Sequence, residues 1–231
     1  MKSIHFGFNN TDVGELKKFN IVKNMFLNNS NLKSIPKLCL KNSIVKYLFL
    51  FNNSISEVRK ESFQGILKLE VLSLAYNKIK FLGGKSIPDA KIVHLNNNLI
   101  KVINQKMFVN ILRLKQLSLH CNNLRILQAT MEKYVGTKIV LDYNKIDYLE
   151  SMSIPASSEV YLKNNALTSI HAKHFVNITV IEVLELSWNN IIYVSNNSFL
   201  GSQLKTLRLD YNKILTIDQF CYMQQQSQFL N

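Results

Sequence analysis

The first chemistry that the sequence suggests is phosphate binding, because Gly84-Lys85-Ser86 has the residue types that end a phosphate-binding loop. The full motif also requires a glycine where Ile79 stands, with a strand before the loop and a helix after it. Ile79 instead occupies an apolar position of the repeat described below. We therefore interpret the match as accidental.

Histidine pairs are the second candidate chemistry. His94 and His120 could supply two metal ligands, but stable zinc sites use at least three protein ligands and no third accompanies this pair. His171 and His174 fall in a connecting arc, where we expect them to be solvated. No Ser/His/Asp or Cys/His arrangement converges. The sequence therefore predicts a protein that is not an enzyme and that uses no cofactor or metal.

The element that must position these residues is a repeat of the form LxxLxLxxNxL. Residues 114–124, LKQLSLHCNNL, are one clear copy. An asparagine marks each of eight copies, and Ser30 takes its place in an earlier ninth copy. The marker asparagines are Asn53, Asn77, Asn98, Asn122, Asn144, Asn165, Asn189 and Asn212. Successive markers lie 21 to 24 residues apart, which is typical of leucine-rich repeats.

Each part of the repeat has a physical reason. Leu117 and Leu119 alternate, so both point to one face of a short strand. The asparagine amide supplies donors and an acceptor for backbone groups that are buried where the chain leaves the strand. Longer return arcs carry a phenylalanine ten residues after the marker, and two shorter arcs carry Ile-Pro. These residues are Phe63, Phe108, Phe175 and Phe199, and the pairs Ile87-Pro88 and Ile154-Pro155.

The fold class follows from this repeat. We predict an α/β solenoid, a leucine-rich-repeat horseshoe with a parallel β-sheet on the concave face and mostly irregular or short helical convex arcs. Residues 1–21 are predicted to form an N-terminal cap strand and the segment leading into the repeats, residues 22–217 nine repeats, and residues 218–231 the start of a truncated C-terminal cap. Because repeat arrays normally cap their ends, we expect the chain to be part of a longer protein.

Side chains that point away from the core on the strands are predicted to form a binding surface. These positions lie one, two, four and six residues before each marker. They carry no formal charge in the first half of the chain and nearly balanced charge in the second. Aromatic residues among polar ones are typical of protein-binding surfaces. We predict a protein partner contacted by Phe26, Tyr47, Phe49, Phe51, His94, His120, Tyr143, Tyr161, Glu185, Trp188 and Tyr211.

The formal net charge of +13 therefore lies on the flanks of the solenoid rather than on the sheet. Lysines recur seven residues before the marker and one or three residues after it. Such flanks are expected either to keep the protein soluble or to bind polyanions or anionic surfaces weakly. They give no reason to expect specific nucleic-acid binding.

The compartment is suggested by a resemblance. The segments IHFGF at 4–8, FNIVKNM at 19–25 and NSNLKSIP at 29–36 resemble the cap strand and first repeat of mosquito leucine-rich immune proteins. The Phe-bearing arcs also resemble the typical, mostly extracellular, leucine-rich-repeat class. The resemblance implies a secreted insect protein, some relatives of which hold complement-like thioester proteins. Possible N-glycosylation sites in an extracellular setting are Asn9, Asn28, Asn52, Asn177 and Asn196.

Three functions from different classes remain open at this point. The first is an extracellular recognition module with a role in innate immunity, which binds a protein through the concave face. The second is part of a membrane receptor ectodomain of Toll-like or adhesion type. The third is a cytosolic leucine-rich-repeat scaffold, which N-glycans on the secreted protein would exclude.

Overall fold

The computed structural model describes residues 3–5, 21–37, 39–66, 69–103, 105–107, 111–128, 137–153, 159–175, 180–199 and 202–217. The chain divides into two compact units, which comprise residues 1–124 and 125–231 and are called the first and second unit below. Each unit is a parallel β-solenoid. The predicted leucine-rich-repeat fold class is therefore confirmed.

The first unit contains one main sheet and one minor sheet. Its strands are β1 (Ser3–His5), β2 (Asn24–Phe26), β3 (Tyr47–Phe49), β4 (Glu57–Val58), β5 (Val71–Ser73), β6 (Phe81–Leu82), β7 (Ile92–His94) and β8 (Gln116–Ser118). The main sheet has the order β1-β2-β3-β5-β7-β8, and β4 pairs with β6 in the minor sheet. Tyr47 lies opposite Val71, which is its equivalent one repeat later. Equivalent positions of successive repeats therefore stack.

The second unit follows the same plan. Its strands are β9 (Ile126–Leu127), β10 (Lys138–Val140), β11 (Tyr148–Leu149), β12 (Glu159–Tyr161), β13 (Ser169–Ile170), β14 (Val180–Glu185), β15 (Tyr193–Val194), β16 (Gln203–Arg208) and β17 (Thr216–Ile217). The main sheet has the order β10-β12-β14-β16, with minor sheets β9-β11 and β13-β15-β17. All of the pairs described for this unit are parallel.

The core is formed by the consensus apolar positions. Leu72 and Leu74 of one repeat and Leu117 and Leu119 of another are all completely buried. Burying such a leucine contributes about 1.5–3 kcal/mol before conformational entropy is subtracted. Because one strand cannot bury its apolar face alone, the core forms only when repeats stack.

Phenylalanines fill the return arcs. Phe63, Phe175 and Phe199 are 4%, 4% and 6% exposed, and the ring centroids of Phe175 and Phe199 lie 5.1 Å apart. Ile87, in one of the shorter arcs, is also buried. Short 3-10 helices occur at Gln105–Met107 and Ala172–Phe175. Phe108 and Ile154-Pro155 lie outside the described residues.

Candidate binding faces of the main sheets

The asparagine side chains join consecutive repeats through buried hydrogen bonds. The Oδ1 atom of Asn53 accepts from the backbone nitrogens of Ser30 and Leu32 at 3.0 and 2.9 Å. Its Nδ2 atom donates to the carbonyl of Leu27 in the preceding repeat and to that of Leu50 in its own repeat. One amide therefore forms hydrogen bonds with at least four buried backbone groups.

The same pattern recurs along both units. The side-chain amide forms hydrogen bonds both within its own repeat and to the preceding repeat at six further markers. These are Asn77, Asn98, Asn122, Asn165, Asn189 and Asn212. Asn144 donates to the carbonyls of Leu141 and Asp142. Ser30, which replaces the first asparagine, donates from its hydroxyl to the Asn28 carbonyl at 3.2 Å.

The residue before each marker has a left-handed backbone. The φ angles at these positions lie between 53° and 58° for Asn29, Asn52, Tyr76, Asn97, Cys121, Tyr143, Asn164, Trp188 and Tyr211. Asparagine tolerates this conformation, whereas a bulky residue adopts it at a cost. The turn therefore projects an aromatic side chain at the edge of the sheet in four repeats, and the buried amide behind it holds the backbone there.

The first-unit face contains a stacked aromatic cluster. Phe26 and Phe49, on neighbouring strands, stack with centroids 5.0 Å apart and ring planes 12° apart. Phe51 meets Phe49 edge-on at 6.4 Å. Together with Tyr47, these four side chains are half-buried. The structure places these side chains on the outward side of the strands, as the sequence predicts. Their role in binding a partner remains a prediction.

Two histidines occupy the same face of the first unit. His94 Nδ1 lies 3.3 Å from Ser118 Oγ, and His120 Nδ1 is buried with no hydrogen-bond partner among the described residues. Burial lowers the pKa of both imidazoles, and the nearby His120 lowers that of His94 further. Both rings are therefore neutral at pH 7, which keeps this face uncharged.

The second-unit face instead contains paired charges. Lys138 Nζ contacts Glu159 Oε2 at 2.6 Å, and the Tyr161 hydroxyl donates to the same oxygen at 2.8 Å. Lys138 Nζ also lies 4.7 Å from the centroid of the Tyr161 ring. The Glu159 carboxylate neutralises Lys138, so the pair adds no net charge to this face. The hydrogen bond from Lys138 holds the pKa of Glu159 below its usual range.

The second unit also contains an exposed, stacked aromatic pair. Trp188 and Tyr211 lie with centroids 4.1 Å apart and planes 19° apart, and they are 48% and 69% exposed. Tyr143 occupies the same repeat position and is 56% exposed. Exposed tryptophan and tyrosine are the residues most often found at the centre of protein interfaces.

Glu185 corrects one expectation. It was expected to point outward from the sheet, but only 6% of it is exposed. Its Oε1 atom accepts hydrogen bonds from the backbone nitrogen and the hydroxyl of Ser187, and Arg208 NH1 lies 3.6 Å from Oε2. Because these groups draw the carboxylate against the sheet, Glu185 presents little surface to a partner.

The sequence analysis missed Tyr76 and the burial of Asp142. Burial raises the pKa of Asp142 to about 6, and the charge of Glu185 contributes further. Tyr76 is 58% exposed at the position immediately before a marker, where Tyr143, Trp188 and Tyr211 also stand. The repeat frame would have identified Tyr76 if that position had been read in every repeat, whereas nothing in the sequence marks the burial of Asp142.

His174 corrects a second expectation, since the arc histidines were expected to be solvated. His174 is only 3% exposed, and its Nδ1 atom accepts from the backbone nitrogen of His171 at 3.2 Å. The 3-10 turn places it beside Phe175, with ring centroids 6.3 Å apart. Burial, with His171 and Lys173 contributing, lowers the pKa of His174 to about 4.

We predict that His174 makes the second unit sensitive to acid. The folded pKa of about 4 lies below the ordinary value of 6.5, so only the unfolded state binds a proton between these two values. The contribution of neutral His174 to the free energy of unfolding is therefore fully present above pH 6.5. It falls as the pH decreases, by at most about 1.4 kcal/mol per pH unit.

His174→Leu should flatten this pH dependence of stability in urea unfolding at pH 7, 6 and 5. His171→Gln, at a half-buried neighbour, should retain it, and an equal slope in all three proteins would contradict the assignment.

The remaining sequence candidates are placed as follows. Gly84-Lys85-Ser86 lies in a turn after β6, where the Lys85 nitrogen donates to the Lys106 carbonyl at 2.6 Å. In the part of the chain that the structure describes, no group of three or more His, Cys, Asp or Glu residues could hold a metal ion. Among the sequons, Asn52 and Asn196 are exposed and Asn28 is half-buried, while Asn9 and Asn177 lie outside the described residues.

Comparison with known proteins agrees with this architecture. The family model described as "Leucine rich repeat" matches residues 20–79 and 158–220, which is more than half of the chain. The chain belongs to the leucine-rich repeat family. Members of this family, including the relative described next, are non-enzymatic scaffolds, which supports a non-enzymatic role in general.

Lumican from Rattus norvegicus is a relative of this leucine-rich repeat chain. The two are 29% identical over 222 residues, which cover 84% of this chain and 65% of lumican. The chain thus spans just under two thirds of that relative. Among solved structures, the TLR13–ssRNA13 complex matches with a TM-score of 0.56 and 19% identity, over 85% of this chain and 33% of that one. The mouse RP105/MD-1 complex matches with a TM-score of 0.52 and 18% identity, over 84% and 43%. At these identities the two structures show a shared fold.

No helix among the described residues is both long enough and apolar enough to span a lipid bilayer.

Proposed function

We propose that this leucine-rich repeat chain is an extracellular, non-catalytic recognition module that binds a protein partner through the main-sheet face of each unit. The observation that carries this proposal is the exposed, stacked pair of Trp188 and Tyr211. Two large rings held at 4.1 Å on a rigid sheet edge offer a preorganised contact, so little side-chain entropy is lost when a partner packs on them.

Charge supports the same proposal. The first-unit face has aromatic rings and neutral histidines, and the second-unit face has carboxylates matched by Lys138 and Arg208. Neither face has an excess of one sign, so neither suits a polyanion. Mixed aromatic and paired polar groups instead suit a protein surface.

An extracellular setting is supported by two observations. Lumican is a secreted leucine-rich repeat protein, and Asn52 and Asn196 present exposed sequons. Expression in animal cells with a secretion signal should give N-glycans at these two positions, detectable as a loss of mass after enzymatic deglycosylation. The unglycosylated secreted protein would count against this setting.

An innate-immune role with a complement-like thioester protein as partner is the finer form of this proposal. It rests on the resemblance of residues 4–36 to mosquito immune proteins. The solved relatives bind different ligands, since their structures are of complexes with MD-1 and with ssRNA. The fold alone therefore does not select a partner.

The proposal is tested by variants that remove face aromatics. Trp188→Ala with Tyr211→Ala should raise the Kd for a purified protein partner, isolated from extracellular fluid with the wild-type chain, by at least about tenfold, because central aromatic contacts contribute about 2 kcal/mol or more. Tyr47→Ala with Phe49→Ala tests the first-unit face in the same way.

The matched control is Leu215→Ala with Tyr148→Ala, two exposed residues of the second unit that do not lie on the main sheet. It should change the Kd less than about twofold. Calorimetric titration measures all of these proteins, and circular dichroism confirms that each is folded. If neither face variant weakens binding, or if the control weakens it equally, the main-sheet faces are not the binding site.

A further inference from the structure

The net positive charge of the protein belongs to its first unit. The first unit has 19 Lys and Arg against six Asp and Glu, whereas the second has nine of each. The whole formal charge of +13 therefore belongs to residues 1–124. A requirement for solubility alone gives no reason for this division, since both units have the same fold.

Part of one flank of the first unit is neutralised by its own acids. On the side where the chain approaches the main-sheet strands, Glu70 contacts Lys91 at 2.7 Å and Arg113 at 3.5 Å. Asp89 contacts Arg113 at 2.8 Å and also accepts from the backbone nitrogens of Leu112 and Arg113. Lys91 and Arg113 therefore take part in a structural network and contribute little free charge.

The return arcs of the same unit carry a row of exposed lysines. Lys37, Lys60, Lys85 and Lys106, called the arc row here, stand seven or eight residues after the markers of four successive repeats. All four are exposed. No ion pair involves Lys37, Lys60 or Lys85 in the described part of the chain.

Backbone contacts show that consecutive arcs of this row touch. The Lys85 nitrogen donates to the Lys106 carbonyl at 2.6 Å. A side chain at Gly83 would approach the Lys60 nitrogen to 3.3 Å. The arcs follow strands that are about 4.8 Å apart, so the row repeats at roughly 5 Å and spans roughly 15 Å. The lysines thus form a line along the direction in which the repeats stack.

The acids nearest to the arc row do not cancel it. Glu57 is held by Arg59, whose NH2 atom lies 2.6 Å from the Glu57 carboxylate. Glu61, next to Lys60, is half-buried. One carboxylate beside Lys37, Lys60 and Lys85 leaves a clear excess of positive charge. Three further exposed lysines, Lys78, Lys80 and Lys101, extend this excess toward the flank after the markers.

We propose that the arc row binds a linear sulfated polysaccharide of the heparin type. A line of lysines at even spacing matches a chain of sulfate groups better than it matches a planar membrane surface. Single-stranded nucleic acid is held by several aromatic rings that stack successive bases, and only Phe81 is exposed in the minor sheet beside the row. This partner is additional to the protein partner proposed above, and its site does not include the main-sheet faces.

Heparin affinity of the full 231-residue chain tests the proposal. We expect Lys60→Gln, Lys85→Gln and Lys106→Gln together to weaken heparin binding at least about tenfold in 0.15 M salt. The slope of the logarithm of affinity against that of salt concentration should fall by about two to three, because each neutralised lysine releases about one fewer counterion. The control, Lys145→Gln, Lys173→Gln and Lys213→Gln in the second unit, removes the same charge and should weaken binding less than about twofold.

Several results would overturn the proposal: an equal loss in both triple variants, no loss in the arc variant, or equal affinity for desulfated heparin. Stronger wild-type binding to phosphatidylserine vesicles or to poly(U) than to heparin would also overturn it. Tyr47→Ala with Phe49→Ala should leave heparin binding unchanged. A failure of the sheet-face proposal is therefore distinguishable from a failure of this one.

Discussion

Phe175→Ala is expected to lower the free energy of unfolding of the second unit by about 3–5 kcal/mol, which is the usual cost of removing a buried phenylalanine. Phe175 is 4% exposed and packs against Phe199 at 5.1 Å between centroids. Its removal leaves a cavity beside the Phe199 ring. The arcs cannot close over the space, because the hydrogen bonds of the sheets fix their spacing.

The measurement uses the single tryptophan of the chain, Trp188, which lies in the second unit. Urea unfolding followed by its fluorescence therefore reports on that unit. Leu215→Ala is the control, since Leu215 is 81% exposed, and it should change the stability by less than about 0.5 kcal/mol. If the two variants differ by less than about 1 kcal/mol, Phe175 does not support the arcs as described.

Asn122→Leu is expected to destabilise the first unit by about 1–3 kcal/mol, despite the gain in apolar volume. The Nδ2 atom of Asn122 donates to the carbonyls of Leu95 and Leu119 at 2.9 and 3.0 Å, and its Oδ1 atom accepts from the Ile100 nitrogen at 3.0 Å. Leucine removes the acceptor of the Ile100 nitrogen and one donor from each of the two carbonyls, of which Leu95 retains the hydrogen bond from Asn98 Nδ2. Two of these three backbone groups belong to the preceding repeat, so the loss extends beyond one repeat.

The chain offers a matched control at the next position. Asn123→Leu makes the same chemical change at a half-buried side chain, and it should be close to neutral. Urea unfolding followed by circular dichroism compares the two variants. Equal stability of the Asn122 and Asn123 variants would show that the buried amide contributes nothing beyond the volume that it fills.

The positions of the strands and of the asparagines follow from the sequence because each depends on local chemistry that repeats. Alternating Leu117 and Leu119 require a strand, and β8 (Gln116–Ser118) lies where they place it. The interval between markers fixes the register, so that Ile92 pairs with Gln116. Parallel pairing of equivalent residues needs no information beyond the period.

The exposure of individual side chains was harder to predict, because it depends on contacts outside the repeat pattern. His174 is buried since a 3-10 turn rotates it toward Phe175, and the arc sequence has no period that would reveal this. Glu185 stands at an outward position, but Ser187 two residues later binds its carboxylate. Local hydrogen bonds of this kind override the strand alternation.

The division of charge between the two units could not be predicted from the sequence alone. It can be read from the sequence only when the boundary between the units is known, and that boundary comes from the structure. The neutral network of Glu70, Asp89, Lys91 and Arg113 likewise needs coordinates, because Glu70, Lys91 and Arg113 are separated by about one repeat each. A list of lysines in sequence order does not distinguish paired from unpaired ones.

The left-handed residue before each marker has a consequence for how such a protein can acquire new specificities. The backbone at Trp188 is held by the amide of Asn189 behind it, so the side chain can vary among residues that tolerate a left-handed conformation. Asparagine, tyrosine, cysteine and tryptophan all occupy this position along the chain. A library restricted to such residues at these positions should yield folded proteins with altered ligands, so the position is suited to grafting.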